Sequence, residues 1–270
     1  MKSPMSRAEI ALLAAVAALV LFACFGPAVG QPGDYHRFAD QRMLWGVPMA
    51  MDVWSNLPFA LAGILGWMTL WRARPAVSNV QRAMAALFFT GLLLAAAGST
   101  WYHLAPDEAG LSVDRCGMSV AFAGVLGLAA AGRISERSGA WLGLTVLLLG
   151  PAAARTALAT GNVLPWAVLQ FGGLMLLVVL ALRPVRFAAL PVRWGLLVLA
   201  YALAKLLELN DQAIFELTAQ AVSGHTLKHA VAALAAAPVI FALGRTAKPR
   251  QNAAGITTTR PAARRDAGPA

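Results

Sequence analysis

The chain has 270 residues, of which 59% are hydrophobic and only 13% charged, and it carries a net charge of +10. Soluble domains hold roughly 25% charged residues, and a soluble fold of this length has too little interior to hide so much apolar surface. The composition therefore excludes an ordinary globular protein and points to a bilayer as solvent.

The apolar residues fall in blocks of about 20, the length that a hydrocarbon core about 30 Å thick demands of a helix. Eight blocks follow in chain order, near 10–29, 52–71, 83–103, 112–132, 140–158, 163–182, 194–210 and 221–243. Pro58, Pro151, Pro165 and Pro238 lie within or near them, which membrane helices tolerate because neighbouring helices re-satisfy the freed backbone groups. No ten-residue alternation of polar and apolar positions recurs, so a barrel is not expected. The fold expected is an all-α polytopic transmembrane helix bundle of seven core helices plus one N-terminal extra helix.

In the first block, Lys2 and Arg7 precede an apolar run and then Ala28-Val29-Gly30. Residues 1–30 thus read as a membrane anchor, or alternatively as a signal peptide. Residues 31–51 form an extracytoplasmic segment and 52–243 the seven-helix membrane domain. The stretch 244–270, rich in Arg, Ala, Pro and Thr, reads as a disordered basic tail. Cys24 and Cys116 lie in expected spans and give no disulfide framework.

Sixteen of the 22 basic residues sit at the N-terminus, in loops 72–82, 133–139 and 183–193, and in the tail. These are alternate loops, so the positive-inside rule places both termini in the cytoplasm. The charge is a topology signal with anionic headgroups as its partner, and it implies no nucleic acid. No protein partner follows from the sequence.

Polar side chains inside spans are costly and face the bundle interior. Here they gather at one level: Asp52 and Asn56; Ser99 and His103; Asp114 and Arg115; Lys205, Glu208, Asn210 and Asp211; His225, Lys228 and His229. With alternating helix direction, all lie at the extracytoplasmic end, which predicts one polar chamber. His225 and His229 are four apart and share a helix face, the spacing by which a histidine pair chelates zinc in metalloproteases. Ser99 and His103 repeat that spacing. Three neutral imidazoles make a catalytic zinc site that leaves the fourth tetrahedral position to water, whose pKa falls to about 7. Asp114 is then a candidate to hold that water and accept its proton, and Ser99 to bond it or the oxyanion.

Each of these residues also has a plainer reading. Asp114 reads as a helix N-terminal charge favoured by the macrodipole, and Lys205, Glu208 and Asp211 as an ion-paired helix end. Lys228 is expected to snorkel, and His36, in a polar outer loop, is not expected to bind metal.

The run Gly98-Ser99-Thr100-Trp101-Tyr102-His103, Asp114 eleven residues on, and the late His225-Thr226-Leu227-Lys228-His229 resemble the alkaline ceramidases. These belong to a superfamily of seven-helix membrane hydrolases that includes the adiponectin and progestin receptors. Val53-Trp54-Ser55-Asn56-Leu57-Pro58 is similar to the opening of the first core helix of that family. The resemblance spans about residues 50–243 in element order. It implies zinc on His103, His225 and His229, Asp114 and Ser99 beside the water, and hydrolysis of the N-acyl amide bond of a ceramide-like membrane lipid. Where eukaryotic members carry a calcium-site glutamate, six residues before Ser55, this chain has Met49, so calcium is not expected. The Ala-, Leu- and Arg-rich usage suggests a bacterial inner membrane and an N-acyl lipid other than ceramide. Two other classes stay open on sequence: a lipid-binding, receptor-like protein with structural zinc, and a haem or metal transport protein.

Overall fold

The computed structural model describes residues 4–73, 77–186 and 188–247. Lys2, Arg74 and five basic residues of the tail lie outside the described residues, as does all but the start of the expected tail. The described residues are helical with no extended strand; two isolated bridges, Gly30 with Asn162 and Leu44 with Val47, are the β pairings among them.

Among the described residues nine helices follow in order: α1 Arg7–Phe25, α2 Ala50–Arg72, α3 Asn79–Leu104, α4 Glu108–Arg133, α5 Glu136–Thr160, α6 Leu164–Ala181, α7 Trp194–Leu209, α8 Asp211–Leu217 and α9 Gly224–Thr246. Seven of these are long and apolar enough to cross a membrane. The expected block at 194–210 differs. Its helix, α7, has 16 residues, about 24 Å at 1.5 Å per residue, and after Asn210 the chain turns into α8.

Hydrogen bonds sort the loops into two ends. At one end Glu9 of α1 pairs with Arg137 at 2.7 Å, Ser78 donates to Glu136 at 2.7 Å, and Gln81 accepts from the Leu190 amide at 2.8 Å. At the other end the Val29 amide donates to Asn162 at 3.0 Å, and the Ala39 amide to Asp211 at 2.9 Å. Helix direction therefore alternates as the sequence requires, and the described basic loops fall at the first end. α1 is more than a tether, since Leu12 and Val16 are buried in the common core.

α3 and α4 are the most intimately joined pair, because glycines remove the side chains between them. A Cβ at Gly117 would stand 2.6 Å from the Ala95 amide nitrogen, and one at Gly98 would stand 3.0 Å from Cα of Asp114. Close approach of this kind is what small residues supply where helices pack in a membrane.

α4 begins earlier than the apolar pattern suggests. Asp107 caps it, accepting the Gly110 amide at 2.6 Å, so Asp114 stands in the second turn rather than at the N-terminus. The macrodipole acts within the first turn, and that explanation of Asp114 fails.

Candidate metal centre

α3 ends at Leu104, which puts Ser99 and His103 in its last turns. Ser223 caps α9, accepting the Thr226 amide at 3.0 Å. That start point sets His225 in the first turn and His229 one turn further on the same face. All three imidazoles are buried. Their ring centroids form a near-equilateral triangle with sides of 4.8, 4.9 and 5.2 Å. One nitrogen from each ring lies within 4.8 Å of the others, so the group is close enough to bind a metal ion. The Nε2 atoms of His103 and His225 are 3.2 Å apart. Two nitrogens at the zinc–imidazole distance in a tetrahedron stand about 3.3 Å apart, so this edge already has the right span.

His229 is held from behind. α2 breaks after Trp54, where Pro58 has no N–H to continue the ladder and the Asn56 amide turns to Val53 (3.3 Å). The Asp52 carbonyl is thereby freed, and it accepts the Ser55 hydroxyl at 2.9 Å and the Asn56 side-chain amide at 3.0 Å. Since Ser55 donates there, its oxygen accepts from Nδ1–H of His229, 2.7 Å away. This network assigns the lone pair of His229 to Nε2, the atom turned toward Ser99 at 3.4 Å. An imidazole fixed by such a partner is the usual form of a metal ligand. The His103 Nδ1, by contrast, has no hydrogen-bond partner among the described residues.

The other expected residues divide by role. Ser99, Asp114 and His229 line one cavity together with Lys205, Glu208 and Lys228. Asp52 is fully buried, and its carboxylate accepts the Thr226 hydroxyl at 2.6 Å, which joins α2 to α9 behind the histidines; Asn56 is buried and donates only within α2. Asp211 does not join the ion-paired helix end. It accepts the His225 amide at 2.7 Å and the Ala39 amide at 2.9 Å through its two oxygens, because it opens α8 directly below the start of α9. Lys205 and Glu208 do pair. Lys228 does not snorkel: its ammonium turns inward to Glu208 at 2.6 Å. His36 stands apart from the triad and bonds Tyr102 at 2.8 Å. Both cysteines are free.

The cavity is polar at one end only. From Ser99 it follows α3 down to Phe88, and from Asp114 it follows α4 down to Val125. Each path is eleven residues, about 16 Å, with apolar walls. Its volume of ≈ 140 Å³ is roughly ten times the least that admits one water, so it has room for a multi-atom ligand.

Sequence reasoning missed the segment between α1 and α2. Phe38 is buried, and its ring lies 4.6 Å from that of His103 and 4.5 Å from that of His225, so it covers the triad on that side. The segment is latched by Arg42, which grips Asp40 at 2.5 Å and donates to the Ala221 carbonyl at 3.0 Å. Buried Arg115 adds a bond to Gln31 at 2.9 Å. Burial alone would push the Asp40 carboxyl up, but the hydrogen bonds and charge of Arg42 outweigh it and hold it below its ordinary value. No periodicity marks Phe38. A phenylalanine without a polar handle between Asp34 and Asp40, in a polar stretch, was the available signal.

The donor set fits a borderline-soft divalent ion: three imidazoles, no thiolate, one of them oriented by a hydroxyl, beside a carboxylate and a hydroxyl in the same cavity. Comparison with family models, with curated proteins and with solved structures finds no match to this chain, so its chemistry rests on the geometry of the site.

Proposed function

We propose that this chain is an integral membrane hydrolase, zinc-dependent, that cleaves the N-acyl amide bond of a membrane lipid to an amine and a fatty acid. The observation that carries the reading is the convergence of His103, His225 and His229, the last of which lines the polar end of an apolar cavity together with Ser99 and Asp114. In this reading eight helices span a bacterial cell membrane, the short α7 among them. The basic loops face the cytoplasm and the anionic headgroups there, and the histidines lie toward the opposite leaflet.

His103, His225 and His229 would hold the ion through one nitrogen each. A zinc ion bound there supplies Lewis acidity and lowers the pKa of water at its open position to about 7. The remaining work falls to the chain. Asp114 accepts a proton from the attacking water and returns one to the departing amine. Ser99 donates a hydrogen bond to the oxygen on which negative charge develops. The apolar slot, about half the depth of a hydrocarbon core, takes the acyl chain and so sets the amide at the level of these groups. Phe38 limits bulk water on the far side of the triad, where a dry surrounding strengthens each polar contact.

The test is metal analysis of the purified protein combined with release of free fatty acid from a panel of N-acyl lipids. We expect near-stoichiometric zinc and loss of both zinc and turnover in His225→Ala. Turnover retained by metal-free protein ends the proposal. Bound zinc with no turnover across the panel, and unfolding when it is stripped, supports instead a lipid-binding protein with a structural ion.

A further inference from the structure

At the end of the bundle that carries the basic loops, a groove opens between α7 and α9. Its cause lies in α9. Pro238 has no N–H, and its ring crowds the carbonyl four residues back; there, over Leu234–Ala236, the helix tightens into a 3₁₀ turn. Above that turn α9 packs mainly along α7, and below it mainly along α2. The groove left between α7 and α9 has a volume of ≈ 640 Å³, within the roughly 300–1,000 Å³ typical of ligand sites. Leu196, Ala200, Leu234, Ile240 and Phe241 give it apolar walls, and Leu196, Leu234 and Phe241 are at least half exposed.

One end of the groove is charged. Arg193, which precedes α7, and Arg245, in the last turn of α9, both line it, and no carboxylate does. Neither arginine forms an ion pair among the described residues. The acidic side chains described at this end of the bundle are Glu9 and Glu136, and they hold Arg137 and Ser78 instead.

Exposed leucines and a phenylalanine along the walls call for hydrocarbon, and two unpaired guanidiniums call for an anion. The planar fork of arginine matches a phosphate group in particular. The chain's own residues 248–270 follow α9 directly, but they hold five basic residues and one acidic residue, so like charge opposes their docking here. We infer that the groove is a binding site for one anionic phospholipid of the leaflet at the basic end, its phosphate on Arg193 and Arg245 and an acyl chain between α7 and α9. The inference rests on the membrane placement proposed above and is independent of the hydrolase chemistry.

The experiment titrates the full chain in detergent with phosphatidylglycerol or phosphatidylcholine of identical acyl chains and counts bound lipid by native mass spectrometry. The wild type is expected to bind the anionic lipid roughly 10–30-fold more tightly. The double substitution Arg193→Gln with Arg245→Gln should abolish that preference. Arg72→Gln, at an exposed arginine of the same end outside the groove, should keep it. Equal affinity for the two lipids overturns the inference, as does a preference that survives the double substitution. A preference lost equally in Arg72→Gln marks a diffuse field and also overturns it. In the wild type, sn-glycerol 3-phosphate should not displace the bound lipid; displacement at equal concentration would show that the groove takes no part, and would overturn the site without any variant. Failure of the membrane placement is distinct, because it shows as a chain that stays monodisperse without detergent.

Discussion

The hydroxyl of Ser55 lies 2.7 Å from Nδ1 of His229, at the point where α2 interrupts its own hydrogen-bond ladder. The interruption has a use. It frees the Asp52 carbonyl to hold the serine, and the serine orients the imidazole. Ser55→Ala should therefore weaken zinc binding by about 10–100-fold, measured by chelator competition, while Ser55→Thr restores most of it. Equal affinity in Ser55→Ala would show that the ring is held by packing alone.

Asp114 and Ser99 share a cavity wall with His229 but do not belong to the triad. Their removal should separate turnover from metal content. Asp114→Asn is expected to lower kcat by roughly 10²–10⁴, and Ser99→Ala by roughly 10²–10³, each with zinc stoichiometry at the wild-type level. Loss of zinc in either variant would place that residue among the ligands.

Phe38 contributes little to the helix core but covers two imidazoles. Phe38→Ala should raise the rate at which a chelator strips zinc, with a smaller effect on thermal unfolding than a core Phe→Ala change of about 3–5 kcal/mol. Unchanged stripping kinetics would mean that the ion leaves by another route.

The Asp40–Arg42 latch makes the covering segment sensitive to acid. Because the folded carboxyl is held below its ordinary 3.8, the latch contributes fully above that pH and is lost as the pH falls through the lower folded value. Hydrogen exchange over residues 36–42, taken relative to the intrinsic rate at each pH, should be flat between about pH 5 and 8 and should accelerate only in strong acid. Arg42→Gln should bring the same acceleration to neutral pH.

Much of this was legible in the sequence. Long apolar blocks fixed the helices, and i, i+4 spacing put His225 with His229 and Ser99 with His103, since both depend on local periodicity. Their meeting rested on matched depth, which alternating helix direction preserves. The helix ends were less legible: α4 starts at Glu108 because Asp107 caps it, a signal that a hydropathy window averages away. The inward turn of Lys228 depended on Glu208, twenty residues off on another helix, and spacing along one helix cannot reveal such a partner. Phe38 belongs to the same class. It reaches the histidines through a loop whose path is set by tethers to Asp211, Ala221 and Arg115, none of them near it in the chain.

Gly98 stands one residue from Ser99 and lets the backbone of Asp114 come against α3. The spacing between carboxylate and hydroxyl is therefore dictated by a position that contributes no functional group. A methyl there would wedge the two helices apart and shift Asp114 with its whole turn, leaving every reactive side chain present but misaligned. A sequence search keyed to polar residues alone would accept such a chain; a ruler keyed to residue 98 would reject it.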